Sequence, residues 1–295
     1  MSDLLKLHPK ETDLGGFSVR RLLPSFQKKM IGPFIFLDHI GPAKFEAGKG
    51  VDVRPHPHIG LATVTYLFEG ELHHRDSLGN SQVIRPGDVN WMVAGSGIVH
   101  SERSPKELRQ SSHSLYGLQF WVALPKEKEE MAASFHHTPS ERLPTRMDSG
   151  CRIKLIAGSL AGLESPIQTQ SPLFYAALDF EGQASFELPE GYRERAVYLL
   201  EGDLELSTEE GSSAEKISAG ELAVLPESKT YKLRASQRAR AIVFGGEPLD
   251  GDRHIAWNFV SSDAQRISKA KMDWEAGKFP KVPGDEEERI PLPKS

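Results

Sequence analysis

For most of its length this chain sets apolar residues in short runs, alternating with polar ones or bounded by Gly and Pro, a spacing that belongs to β-strands. Gly16 to Arg20 (Gly-Phe-Ser-Val-Arg) alternates and predicts a first strand, and Ile31 to Asp38 (Ile-Gly-Pro-Phe-Ile-Phe-Leu-Asp) predicts a buried one. Between Val51 and Phe120 the β-branched runs Ala62–Tyr66, Gln82–Ile84 and Tyr116–Val122 are separated by turn signals at Glu69-Gly70, Leu78-Gly-Asn80 and Pro86-Gly-Asp88. Short strands at this spacing predict an all-β barrel or sandwich. Lys126 to Met131 follows Pro125, is charged, and predicts a short surface helix. The polar stretch Thr138 to Thr145 reads as a loop close to a domain boundary.

The pattern then repeats. Tyr66-Leu-Phe-Glu-Gly-Glu-Leu72 returns as Tyr198-Leu-Leu-Glu-Gly-Asp-Leu204, 132 positions on, and Arg85-Pro-Gly-Asp-Val89 as Ser218-Ala-Gly-Glu-Leu222, 133 positions on. Two copies of one β-unit imply two barrels, expected to pack face to face within a monomer. The expected domains are residues 1–135 and 136–295. In the second, β patterning gives way to a helix over 262–277, with Ser262 as N-cap, Gln265 reaching back, Ile267 and Trp274 on one face, and Gly277 as the stop. The tail from Val282 to Pro293 is rich in Pro and charge and is assigned no secondary structure, with Ile290 and Leu292 as anchors.

Charge narrows the function classes. The 295 residues carry 36 basic and 41 acidic side chains, net −5, with no basic stripe, so nucleic acid is not an expected direct ligand. The one cysteine, Cys151, allows no internal disulfide and favours a reducing compartment. Met1 to Lys6 carries Asp3 and lacks the apolar core of a signal peptide, and no run approaches the ~20 apolar residues that span a bilayer. A soluble cytoplasmic protein is expected.

The candidate chemistry lies in Arg54-Pro-His-Pro-His-Ile-Gly60 and Gly97-Ile-Val-His-Ser-Glu-Arg103. His56 and His58 are two apart, as are His100 and Glu102, so on strands each pair points to one face. Alone, a His-Pro-His is most often a turn or rigid strand edge, since proline fixes φ and removes donors. A second pair about forty residues downstream in a β-rich stretch changes the balance: three imidazoles and a carboxylate form a ligand set that iron, nickel, copper or zinc accepts. At the repeat offsets, Leu188 and Glu190 face the first pair and Leu233 and Ala235 the second, so the second copy lacks the set. Of the other histidines, at most one of His73 and His74 can line the cavity. Asp38-His39 reads as a turn, and His136, His137 and His254 as surface or packing residues. Gln119 could support a ligand from behind, and Phe34, Phe36 and Trp91 are core candidates.

Arg54–Gly60, Tyr66–Gly70, Trp91–Glu102 and Leu118–Pro125 resemble the signature of the pirin family of the cupin superfamily, and Trp257–Ser262, Ala270–Trp274 and Phe279–Gly284 are similar to bacterial pirin-like proteins in particular. The resemblance spans essentially the whole chain. It implies a bicupin, two antiparallel β-barrels of jelly-roll type with a C-terminal helix, and one metal in the N-terminal barrel held by His56, His58, His100 and Glu102. The metal implied is Fe2+, with nickel, copper, manganese and zinc as alternatives. Against the general cupin pattern, Gly50, His56, His58 and Gly70 are kept, Thr63 stands at the usual glutamate position, and His100 falls two residues late, with Glu102 supplying the carboxylate. The family implies quercetin 2,3-dioxygenase activity on a flavonol or similar polyphenol with dioxygen, Glu102 being the candidate general base. It also implies an alternative, a metal-containing regulatory or redox-sensing protein that binds a transcription factor or metabolic enzyme.

Overall fold

The structure is a computed structural model and describes residues 4–13, 17–208, 214–227 and 229–293. Through the first half run β1 (Leu5–Leu7), β2 (Lys10–Asp13), β3 (Ser18–Leu23), β4 (Phe34–Phe45), β5 (Asp52–His58), β6 (Leu61–Glu69), β7 (Leu72–Asp76), β8 (Ser81–Ile84), β9 (Val89–Val93), β10 (Ile98–Arg103), β11 (His113–Ala123) and β12 (Ser134–Thr138). Through the second run β13 (Thr145–Asp148), β14 (Cys151–Leu160), β15 (Leu163–Glu164), β16 (Leu173–Phe180), β17 (Ala184–Leu188), β18 (Glu194–Glu201), β19 (Asp203–Ser207), β20 (Glu215–Ser218), β21 (Leu222–Leu225), β22 (Tyr231–Ala235) and β23 (Ala239–Gly246). A small hairpin, β24 (His254–Ala256) and β25 (Phe259–Ser261), leads into α1 (Ala264–Glu275).

The repeat seen in the sequence is a repeat of architecture. One large sheet runs β12-β9-β6-β11-β4-β3-β2 and faces a small sheet β5-β10-β7-β8; the other large sheet runs β1-β21-β18-β23-β16-β14-β13 and faces β17-β22-β19-β20. Each copy is thus a cupin-type sandwich of two antiparallel sheets rather than a fully closed barrel. The Glu69-Gly70 turn shows why the shared Glu-Gly is needed. Gly70 has φ +81°, and a Cβ there would stand 2.2 Å from the Ser114 carbonyl oxygen.

What fills the two sandwiches differs. In the second, Phe186, Leu204, Leu206 and Leu233 from the small sheet meet Leu155, Phe174, Val197 and Ala241 from the large one in one apolar core. Register places His56 opposite His100 in the first copy and Phe186 opposite Leu233 in the second. By that pairing the counterpart of His56 is Phe186, two residues before the Leu188 that a constant sequence offset gives. Buried apolar side chains thus stand in the second copy where the first has imidazoles.

The chain ends do not stay with their halves. One compact unit gathers Met1–Lys10, Leu22–Ile35 and Glu141–Leu249; the other gathers Glu11–Arg21, Phe36–Ser140 and Asp250–Ser295. Strand β1 extends the large sheet of the second sandwich, with Leu7 opposite Leu222. The helix expected to accompany residues 136–295 packs instead with the first sandwich: Ile267, Ala270 and Trp274 bury against Ile59, Val99 and Phe259. An amphipathic helix goes where its apolar stripe finds partners, which sequence proximity does not decide.

Two local expectations are also corrected. The cap of α1 is Asp263, whose carboxylate accepts from the Gln265 N–H at 2.8 Å. Ser262 is unavailable for capping because its N–H and hydroxyl both donate to the Glu129 carboxylate. The helix expected over Lys126–Met131 is one 3-10 turn, Lys126–Lys128, since the next residue, Glu129, turns inward to Arg253, Ser261 and Ser262. Among the described residues no helix is long and apolar enough to cross a membrane.

Candidate metal centre

Pro55 and Pro57 sit in the middle of β5, and a strand accepts them there because β5 is the edge of its sheet. Alternation then sends His56 and His58 inward together. On β10, His100 lies directly opposite His56, and between His100 and Glu102 the register slips, three steps on β5 (His56 to Val53) matching two on β10. Such a bulge re-aims side chains locally, and bulges gather beside functional sites.

His56, His58 and His100 are buried, and one ligand nitrogen from each lies within 4.8 Å of the others. Ring centroids are 4.4 Å apart for His56 and His100, and 5.0 Å for each of the other two pairs. The hydrogen bonds behind the rings settle which nitrogen faces the centre. Nδ1 of His56 lies 2.9 Å from the Arg54 carbonyl oxygen, and Nδ1 of His58 3.1 Å from that of Asn258. A carbonyl only accepts, so both rings donate through Nδ1–H and leave a lone pair on Nε2. Nε2 of His100 is a buried atom with no hydrogen-bond partner among the described residues.

Electrostatics keeps these rings unprotonated. Burial lowers the pKa of His56, with His74 adding to it and the Arg54 carbonyl and Glu102 opposing. Burial and then the neighbouring His56 push His58 well below its usual value, and burial followed by His56, His58 and His74 does the same to His100. Three neutral imidazoles converging on a buried point, one with an orphaned nitrogen, fit a divalent first-row cation.

Glu102, expected in the ligand set, is buried beside the histidines but outside the 4.8 Å group. Its Oε1 accepts from the Thr65 hydroxyl at 3.2 Å and its Oε2 from the Gln119 amide at 2.8 Å. Thr65 on β6 and Gln119 on β11 are direct cross-strand neighbours, so the large sheet presents two adjacent donors to a carboxylate on the small one. The supporting contact of Gln119 is therefore to Glu102. Each oxygen keeps further lone pairs, and the carboxylate already acts on His56 through space. Next to His58 the Trp121 indole stands edge-on at 5.2 Å, with Phe36 stacked flat on it at 4.1 Å.

Other sequence candidates fall elsewhere. Asp38 and His39 lie within β4, not in a turn: Asp38 takes two 2.8 Å hydrogen bonds from Arg21, and His39 accepts from Arg20. His73 points outward to Ser81, His137 bonds to Asn90, and His136 and His254 are exposed. His74 had no definite place in the sequence, yet it is buried, with Nδ1 3.4 Å from Nδ1 of His100 and Nε2 3.1 Å from the Asp76 carboxylate. The signal was present in Leu72-His73-His74-Arg75-Asp76, where strict alternation groups Leu72, His74 and Asp76 on the buried face. The Asn258 carbonyl had no such signal.

Residues 16–122 match the family model described as Pirin, and residues 175–280 match the one described as Pirin C-terminal cupin domain. A pirin-like protein of Caulobacter vibrioides is 46% identical over 288 residues, 97% of each chain. The chain belongs to the pirin family. Rat pirin is 30% identical over 89% of this pirin-family chain and 88% of its own. The crystal structure of quercetin 2,3-dioxygenase from Acinetobacter baumannii matches it with a TM-score of 0.90 at 32% identity, covering 99% of this chain and 95% of that one. The bicupin fold expected from the sequence is thereby shown.

Proposed function

We propose that this protein is a metal-dependent dioxygenase that opens a flavonol such as quercetin, flavonol and dioxygen giving a depside and carbon monoxide. His56, His58 and His100 hold the metal through Nε2, and Glu102 serves as fourth ligand and as base. Iron is the ion proposed, and the ligand set equally admits nickel, copper, manganese or zinc. When bound, the ion supplies Lewis acidity toward the deprotonated substrate and the redox flexibility that reaction with dioxygen requires. The rest is done by side chains. Glu102 takes the substrate hydroxyl proton on a carboxylate oxygen, while Thr65 and Gln119 orient it. Trp121 and Phe36 offer a flat aromatic surface beside His58 that suits a planar polyphenol. The observation that carries this reading is the convergence of three buried imidazoles beside a buried carboxylate, a set of four ligands that leaves about two positions of a six-coordinate ion for substrate and dioxygen. The similarity to the Acinetobacter quercetin 2,3-dioxygenase supports the choice of substrate class.

The test is to follow loss of the flavonol absorption band and release of carbon monoxide by iron-loaded protein under air, with Glu102→Ala as control. Turnover that Glu102→Ala abolishes supports the proposal. Inertness toward a panel of flavonols and catechols, with metal bound and a defined protein recovered by pull-down, favours the regulatory alternative.

A further inference from the structure

The three imidazoles are not oriented in the same way. His56 and His58 lean on backbone carbonyls, whereas His100 leans on another imidazole, and between Nδ1 of His100 and Nδ1 of His74 either nitrogen could donate. Asp76 breaks the tie. Its Oδ1 accepts from the N–H of Leu78 at 2.9 Å, from the N–H of Asn80 at 3.1 Å and from the Asn80 amide at 3.1 Å. Its Oδ2 faces the Asn80 amide at 2.9 Å and Nε2 of His74 at 3.1 Å. A carboxylate accepts, so His74 donates through Nε2. In the neutral ring that proton is the only one, so Nδ1 of His74 is bare and can only accept. His100 must then donate through Nδ1, and its lone pair lies on Nε2, the orphaned atom. Phe135 lies flat against His74 at 4.3 Å and holds the plane of the ring.

We propose that Asp76, acting through His74, sets the tautomer of His100 and so presents its Nε2 lone pair to the metal, which makes Asp76 and His74 positioning residues of the centre. The proposal rests on the three-histidine cluster being a metal site. Metal-bound histidines ordinarily donate the far N–H to a carboxylate or carbonyl; here an imidazole is interposed and passes on the polarity of the carboxylate.

The geometry supplies a test that a merely structural role cannot imitate. In Asp76→Asn the backbone donors of Leu78 and Asn80 hold the amide oxygen at the Oδ1 position, so the amide NH2 faces Nε2 of His74 and reverses the chain, putting a proton on Nε2 of His100. In Asp76→Ala the turn loses its acceptor, but His74 is free to adopt either tautomer. Co2+ titration of the apoprotein is expected to show roughly ten- to a hundredfold weaker binding for Asp76→Asn. Asp76→Ala should lose less affinity while melting at a lower temperature. His74→Phe, which keeps the stack on Phe135 and removes the acceptor, should also bind Co2+ more weakly than wild type. Imidazole 15N shifts of the metal-free wild type should show Nδ1–H with a bare Nε2 at His100, and the reverse in Asp76→Asn. Wild-type affinity in Asp76→Asn, a larger loss in Asp76→Ala than in Asp76→Asn, or the reverse tautomer or an imidazolium at His74 in wild type would each overturn the proposal alone. Failure of wild type to take up Co2+ would overturn the metal reading and the proposal with it.

Discussion

The imidazole of His58 donates to the backbone carbonyl of Asn258, two hundred residues further along the chain, at 3.1 Å. The C-terminal segment is therefore part of the centre. It is seated there by β25, whose Phe259 bridges to Ile59, and by the tail, where the Ile290 N–H donates to the Pro55 carbonyl. Gly60 permits the approach: with φ +68°, a Cβ there would stand 2.0 Å from the Val260 carbonyl oxygen. Gly60→Ala is expected to push β25 away, loosen the support of His58 and weaken metal binding by about tenfold, with the β-sheet circular dichroism kept. Metal titration beside circular dichroism checks this.

Gln119 holds one oxygen of Glu102 at 2.8 Å. Gln119→Leu is expected to lower kcat for flavonol opening by roughly ten- to a hundredfold, because the carboxylate loses its orientation, and to weaken metal binding less, because the three histidines keep their own supports. Metal analysis together with steady-state kinetics separates these effects. An unchanged kcat would contradict the assignment of Gln119 to Glu102.

Glu129 is a buried carboxylate paired with a buried guanidinium, Arg253, at 2.8 Å, and it also accepts from Ser261 and Ser262. It ties the chain after β11 to the segment carrying α1. Removing one partner of a buried pair costs on the order of 3–5 kcal/mol where it strands a charge, an upper bound here because Arg253 keeps Asp250 and the Leu124 carbonyl. Glu129→Ala should show a loss within that bound in urea unfolding and should also weaken metal uptake, since Asn258 lies on the tethered segment.

His39 gives the stability a pH dependence of known sign. Burial, and then the adjacent Arg20 guanidinium, lower its pKa from 6.5 to about 3. Between those values the unfolded chain takes up a proton that the folded one refuses, so stability is lost as pH falls below about 6.5 and the contribution is flat above it. His39→Gln, whose amide oxygen can still accept from Arg20, should show a pH slope shallower by up to ~1.4 kcal/mol per pH unit across that window. Denaturant melts of both proteins from pH 7 to pH 4 check it. Equal slopes would contradict the sign argument.

Strand character, the duplicated Glu-Gly turns and the two pairs of candidate ligands were legible because each rests on local rules of period and punctuation. The partner of α1 was not. Ile267 and Trp274 marked the apolar face correctly, but nothing in their spacing says that Ile59 and Val99 await them. The same limit hid the cap. Ser262 has the right chemistry, and only the fold shows it spent on Glu129, leaving Asp263 to close the helix. Asp38-His39 looked like a turn before Gly41-Pro42, yet Arg20 and Arg21 on the neighbouring strand hold both residues inside β4. His74 and Asp76 were within reach of strict alternation along β7, while a carbonyl two hundred residues away was not.

The central claim is that His56, His58 and His100 hold one divalent ion, and elemental analysis of the protein as purified tests it most directly. About one first-row metal per chain is expected in wild type, with almost none retained by His100→Ala after identical handling. Wild-type protein that carries no metal, and takes up none from Fe2+, Ni2+ or Co2+ after chelator treatment, would contradict it.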